Sequence, residues 1–437
     1  MQSVTVVGAG LAGCEAAWVL AERGVQVTLC EMKPRRFSPA HRSELFAELV
    51  CSNSLKADRV STAGGLLKAE MRLLGSLLLE VAGLVRVPAG GALAVDRNAF
   101  SEQVTARILS HPLIQVRREE VCVIPDGAVI LATGPLTSDA LAGQIALLCG
   151  DSLSFYDAAA PIVEGRSVDM EKAFFAGRYG RGGDDYLNCP FNREEYERFY
   201  AALLEAQGAE LHAFDNAAPK VYEGCMPLEV MARRGMDTLR FGPMKPVGLR
   251  DPATGHRPWA VVQLRRENRD GTLYNLVGFQ TNLKFGEQKR VFSMIPGLAR
   301  AEFARYGVMH RNTFLDSPRL LDSTFALRKE PRIFFAGQIT GVEGYMESAA
   351  SGLLAAHGML RRLQGRQGLC LPKESMLGAL SAYMNDETTA DFQPMGANMG
   401  LLPPLPERIK GKQERYEALS ARALAALQSA LEQQGVA

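Results

Sequence analysis

The segment Gly8-Ala9-Gly10-Leu11-Ala12-Gly13 constrains this chain more than any other. It lies between an apolar run at 4–7, which reads as a buried strand, and an Ala-rich helical run at 14–22. In such a turn the first glycine permits the tight bend, the second lets a diphosphate approach the backbone, and the third lets the helix pack on the strand. The free N–H groups and dipole of the helix N-terminus then favour the diphosphate charge. A second strand at 25–30 ends at Glu31, whose carboxylate can accept ribose hydroxyls. Strand, turn, helix and acidic strand end predict a βαβ nucleotide site; the plainer alternative is a Gly-rich turn in an unrelated α/β protein.

NAD, FAD and S-adenosylmethionine all bind related folds, so the fingerprint alone does not choose among them. Two later apolar strands narrow the choice. One ends in Ala132-Thr133-Gly134 and the other in Ala336-Gly337-Gln338, just before a Gly-rich helix entry. In this order the three segments resemble the separated FAD contacts of glutathione-reductase-like flavoproteins. The resemblance implies a Rossmann-like α/β FAD-binding domain whose last segment approaches the ribityl chain and pyrophosphate.

The rest of the chain is ordinary in bulk. It has 437 residues, with 49 basic and 48 acidic side chains, so net charge gives no hint of nucleic acid. Its eight cysteines form no CxxC pair, which makes zinc and thioredoxin-like readings poor, and no metal site is expected. The N-terminus has no basic n-region, and the apolar stretch 73–85 is far below the ~20 residues a membrane span needs. A reducing cytoplasm is the default. Residues 66–79 read as a helix, and 121–124 and 128–131 as strands about a Pro-Asp-Gly turn. The middle region has a charged helix at 193–205 and strand-like runs at 259–264 and 273–279. Sheet pattern returns at 333–336, followed by a helix at 347–363. A proline-rich stop at 401–406 precedes an amphipathic helix expected from Glu407 to the end. The expected division is a FAD-binding domain in two parts, 1–154 and 291–437, around an inserted α+β domain at 155–290, with C-terminal helices.

A closer resemblance lies in Gly10-Leu11-Ala12-Gly13-Cys14-Glu15-Ala16-Ala17 and in the run from Phe335 through Gly344-Tyr345-Met346-Glu347 to Gly352. Both are similar to the FAD-dependent tRNA-uridine modifying flavoproteins. One branch of that group modifies wobble uridines; the other is the folate-dependent tRNA uracil-5-methyltransferases, which make ribothymidine in the T-loop. Cys51-Ser52-Asn53-Ser54-Leu55, Glu223-Gly224-Cys225-Met226-Pro227, the run from Phe241 to Leu249 and Gly278-Phe279-Gln280-Thr281-Asn282 resemble the second branch. The first branch carries a further C-terminal helical domain that recruits a GTPase, and this chain stops soon after its proline stop. A wobble-uridine modifier, an RNA-binding protein with structural FAD and a small-molecule oxidoreductase are the alternatives.

C5 of uracil is a poor nucleophile until a thiolate adds at C6, and a base must later remove the C5 proton. The resemblance implies Cys225 as the nucleophile and Cys51 as the proton-abstracting or methylene-handling partner. Cations near either thiol, such as Lys56 behind Cys51, can lower its pKa from ~8.5. Cys14, Cys30 and Cys122 read as buried small hydrophobes, and Cys149, Cys189 and Cys370 as structural. His41 is expected at the surface.

The resemblance further implies 5,10-methylenetetrahydrofolate as one-carbon donor at the formaldehyde level, which needs two electrons to reach methyl. Reduced FAD supplies them, itself reduced by NADH or NADPH. The cofactor residues expected are Gly8, Ala9, Gly10, Leu11, Ala12, Gly13, Glu31, Thr133, Gly134, Gly337, Gln338, Gly344 and Tyr345, the last as a candidate pterin-pocket wall. The polymer partner is tRNA, with no membrane and no stable protein partner expected. Arg233, Arg234, Arg265, Arg266, Arg269, Lys284, Lys289, Arg290, Lys410 and Lys412 are candidate phosphate contacts, though a charged run is more often a solvated face.

Overall fold

Valines at 4, 6 and 7 of the strand Ser3–Val7 are buried and begin the main core. In the structure, a computed structural model, residues 2–150, 153–180, 183–209, 226–389 and 392–436 are described. Ser3–Val7 is the middle of a five-stranded parallel sheet. Its order is Ile333–Phe335, Val129–Leu131, Ser3–Val7, Gln26–Glu31, Ile114–Arg118. The register pairs Val7 with both Cys30 and Leu131, and Leu131 with Phe335. Gly8, Glu31, Ala132 and Ala336 therefore emerge side by side at the carboxyl edge, where open α/β sheets bind ligands. The helices Leu11–Glu22 and Tyr345–Leu363 cross closely. A Cβ on Gly352 would lie 2.2 Å from the Ala12 carbonyl oxygen, so glycine there brings the second helix down onto the first.

The inserted region forms a separate antiparallel sheet. Its order is Phe174–Phe175, Tyr186–Phe191, Ala260–Arg266, Leu273–Leu276, Ile162–Glu164, Phe303–Arg305. Its core holds Phe191, Tyr196, Phe199, Phe279 and Phe292. The helix Arg193–Glu205 falls on the residues expected and starts in a reciprocal cap between Asn192 and Glu195, a device worth ~1 kcal/mol. The ribbon Leu153–Ala158 with Met309–Phe314 carries the chain out and back. A boundary at 290 would cut this sheet before its last strand.

Three expectations need correction. Residues 121–124 form no strand: Val123 and Cys122 are exposed, and the outer strand is Ile114–Arg118. The helix expected at 66–79 is two helices, Ala63–Leu73 and Leu77–Leu84. They break at Gly75, whose φ of +80° a helix cannot hold, and Ser76 caps the second. The tail helix is Lys412–Gln433, beginning after the proline stop. No helix among the described residues is long and apolar enough to cross a membrane.

Candidate functional site

At the carboxyl edge of the parallel sheet lies a cleft of about 1140 Å³, open mouth included. Gly8, Ala9, Gly10, Leu11, Ala12, Glu31, Thr133, Gly134, Gly337, Gln338 and Tyr345 all line it, so residues from the three segments and the late helix meet in one place. Gly8 has φ +100°, and a Cβ there would press on the Ala132 carbonyl oxygen at 2.6 Å. Gly13 is not on the wall; a Cβ would sit 1.8 Å from the Gly8 carbonyl oxygen, so it packs the helix against the turn. Gly10 has open space where a side chain would be. Gly344 also lies off the wall and faces Glu347 and Lys56.

This cradle fits a dinucleotide. Neither Gly10 nor Gly344, the N-caps of Leu11–Glu22 and Tyr345–Leu363, offers a side-chain cap, so both helix starts leave N–H groups for an anionic ligand. Glu31 accepts from the backbone N–H groups of Ala9 at 2.8 Å and Lys33 at 3.0 Å. It thereby fixes the turn, and each carboxylate oxygen keeps a further lone pair for a ribose hydroxyl. His41, expected at the surface, lines the cleft and sits 2.6 Å from Ser38 Oγ; burial pushes its pKa down.

Cys51 stands at the rim, next to the wall residue Val50, and Tyr345 holds it. The Tyr345 hydroxyl accepts from the Cys51 N–H at 2.7 Å and the Ser52 N–H at 3.3 Å, and lies 3.0 Å from Cys51 Sγ. Burial raises the phenol's pKa well above its usual value, with the nearby Cys51 charge adding to it. The phenol therefore keeps its proton beside the thiol.

The loop is clamped from both domains. Arg97 donates to the carbonyls of Leu49 and Val50 just before the thiol and pairs with Glu267 of the inserted region at 2.8 Å. Arg265, on the inserted sheet, donates to Asn53 Oδ1 at 3.0 Å and Ser52 Oγ at 2.8 Å. Fully buried Asn53 in turn donates to the Val95 and Arg266 carbonyls. Arg97, Arg265 and Arg305 all interact electrostatically with Cys51. Lys56, expected to be the cation behind this thiol, instead pairs with fully buried Glu347 at 2.7 Å.

Arg265 therefore is not a phosphate contact: it is buried and holds the thiol loop. Arg269 reaches back to the Leu84 carbonyl, and Arg290 pairs with Glu287. Arg233, Arg234, Lys284, Lys289, Lys410 and Lys412 are exposed or nearly so. Cys225 lies outside the described residues. Cys14 and Cys189 are fully buried, and burial pushes both thiols up, Cys189 to about 12. Arg97 and Arg305 were missed from sequence. Both come to the thiol through tertiary contact, and no local pattern marks either.

The chain is similar to known proteins along nearly its whole length. The family model described as glucose inhibited division protein A matches residues 3–367. Methylenetetrahydrofolate–tRNA-(uracil-5-)-methyltransferase TrmFO of Desulfitobacterium hafniense is 58% identical over 430 residues, covering 98% of each chain. The protein of that name from Listeria welshimeri is 54% identical over 433 residues, covering 99% of each. Among solved structures, GidA of Aquifex aeolicus superposes with a TM-score of 0.69 at 16% identity, covering 99% of this chain and 75% of that one. That likeness speaks for the fold alone.

Proposed function

The chain belongs to the glucose inhibited division protein A family and, within it, to the methylenetetrahydrofolate–tRNA-(uracil-5-)-methyltransferases, and on that premise we propose that it methylates C5 of the T-loop uridine of tRNA. The one-carbon donor is 5,10-methylenetetrahydrofolate, the cofactor is FAD, the reductant is NADH or NADPH, and the compartment is the cytoplasm. The observation that carries this reading is a thiol, Cys51, held by Tyr345 at the rim of a cleft built for a dinucleotide. Gly8 to Ala12, Glu31, Thr133, Gly134, Gly337 and Gln338 would hold the FAD. Bound there, it would supply the two electrons that take the transferred carbon from the formaldehyde to the methyl level.

The chain's own part is to activate the uracil and manage its protons. The Cys225 thiolate adds to C6, which places an electron pair on C5. C5 forms its bond to the one-carbon unit as one of that carbon's two bonds to folate nitrogen breaks; the second breaks when the two electrons that bound FAD would supply, with a proton, complete the methyl group, and both nitrogens leave as tetrahydrofolate. Cys51, as thiolate, then takes the C5 proton, and the re-forming C5–C6 double bond expels Cys225 as thiolate. Three guanidinium groups around Cys51 favour its anionic form, and the protonated Tyr345 phenol can donate to it.

The test is tRNA carrying 5-fluorouridine at the T-loop site. Fluorine replaces the proton that must leave, so the C6 thioether persists. A stable RNA–protein adduct should map to Cys225, vanish in Cys225→Ala and still form in Cys51→Ala. An adduct on Cys51 that survives in Cys225→Ala reverses the two roles. No adduct with any variant removes thiol addition from the mechanism.

A further inference from the structure

The inserted region carries an aromatic stack outside the cleft. Phe285 lies on Tyr306 with ring centroids 5.0 Å apart and planes 16° from parallel; Tyr306 lies on Phe303 at 5.1 Å and 14°. The three rings form one near-parallel ladder running from solvent to core. Phe303 packs against the inserted core, while Phe285, the first residue of the helix Phe285–Phe292, is 56% exposed. Gly286, the next residue, is itself exposed and has open space around its Cβ position. An isolated exposed phenylalanine needs no explanation. A stacked ladder whose last member lies open to solvent presents a flat π-face in a geometry that a further planar ring can extend.

Beside the ladder the charges left without an ion-pair partner are positive. Lys289 and Arg300 line the groove that Phe303 and Tyr306 share, and both are exposed. Among the described residues neither has a carboxylate partner. The nearby carboxylates are already engaged: Glu287 with Arg290 at 2.6 Å and Glu302 with Arg166 at 2.9 Å. Lys284, at the start of the same helix, donates to the neutral Gln207 and lies in the field of Glu287. The unbalanced charge is therefore positive, which suits a polyanion and disfavours burial against a second copy of the same face. The ladder is also tied to the thiol. Phe303–Arg305 is the outermost strand of the inserted sheet, and the Arg305 guanidinium, one residue before Tyr306, senses Cys51, Arg97 and Tyr345.

We propose that the Phe285–Tyr306–Phe303 ladder is a base-stacking platform for the tRNA substrate, on which Phe285 receives a nucleobase freed from the T-loop stack while Lys289 and Arg300 take the adjoining phosphates. A uridine inside a stacked loop is out of reach of a thiol, so a neighbouring base displaced with it needs a surface to lie on. Aromatic side chains supply such a surface with little base preference. This inference rests on the reading of tRNA as substrate.

The test uses full-length flavoprotein and fluorescence anisotropy with labelled tRNA across a salt series. Phe285→Ala and Phe285→Leu should each bind tRNA about 5- to 150-fold more weakly. The leucine variant keeps the apolar bulk and loses only the π-face. Phe285→Trp should bind at least as tightly as wild type. Lys289→Ala should instead lessen the slope of log K against log salt by about 1. Wild-type affinity in Phe285→Leu overturns the platform. So does a weaker self-association in Phe285→Ala with tRNA affinity unchanged, which would give the surface to a second copy. A wild-type protein that binds no tRNA defeats the substrate reading itself; one that binds and methylates tRNA while both Phe285 variants match it defeats the platform alone.

Discussion

The hydroxyl oxygen of Tyr345 sits 3.0 Å from Cys51 Sγ and 2.7 Å from the Cys51 backbone nitrogen, joining residues nearly three hundred positions apart in the chain. Tyr345 is the first residue of the helix whose N-terminus borders the nucleotide cleft, so the thiol is positioned by the element that would face the flavin. Tyr345→Phe should retain flavin but lower methylation about 10- to 100-fold, the effect of losing about 1.4–2.7 kcal/mol of positioning. The pH profile of Cys51 alkylation should move upward as the phenol donor disappears. Unchanged turnover together with an unchanged alkylation profile would exclude Tyr345 from this role.

The glycines of the first turn separate binding from folding. Gly10→Val projects into open space and should give a stable but colourless protein, because the diphosphate can no longer approach. Gly13→Val drives a side chain into the Gly8 carbonyl and should lower the melting temperature as well. Absorbance near the flavin maximum and thermal melts of both variants distinguish the two effects. A fully flavinated Gly10→Val contradicts the assignment of this turn.

Arg265 is buried and supports the thiol loop. Arg265→Lys cannot donate to Asn53 and Ser52 with the same fork. Methylation should fall at least about tenfold, as for a lost hydrogen bond to a charged group, while tRNA affinity and its salt dependence stay near wild type. A variant that instead loses tRNA affinity with an altered salt slope would return Arg265 to the phosphate contacts.

His357 sets part of the acid limb of stability. It lies on the buried face of the helix Tyr345–Leu363, and burial first, then Arg23, lowers its pKa to about 4. The unfolded chain takes up its proton near pH 6.5, whereas the native state resists until about pH 4. The unfolded state thus binds more protons between those values, and stability falls as pH drops through that window. From pH 7 to pH 5 this group should cost about 2 kcal/mol. His357→Gln should flatten that portion of a denaturant-derived stability profile; an unchanged slope would mean that other groups govern it.

The nucleotide half was legible in the sequence because its signals are local. Gly8 to Gly13 and Glu31 reveal themselves through backbone geometry that few residue types tolerate. The outer strand Ile114–Arg118 was hidden because its inward face includes the charged Arg118 beside Ile114 and Val116, while Gln115 and Arg117 are exposed. Arg265 misled for a related reason. A charged side chain ordinarily belongs to solvent, and only the approach of the inserted sheet to the Cys51 loop buries this one. The Arg97–Glu267 and Tyr345–Cys51 links are likewise long-range, and nothing in local spacing announces them. Exposed Cys122 was misread because an apolar run resembled a strand.

The central claim is that the methyl carbon comes from folate and lands on the T-loop uridine. Purified protein should be incubated with unmodified tRNA, NADPH and 5,10-methylenetetrahydrofolate deuterated at the methylene carbon, and the nucleosides read by mass spectrometry. The account predicts 5-methyluridine in the T-loop carrying both deuterons, absent in Cys225→Ala and Cys51→Ala. Labelled methyl arriving from S-adenosylmethionine instead, or modification confined to the wobble position, would contradict it.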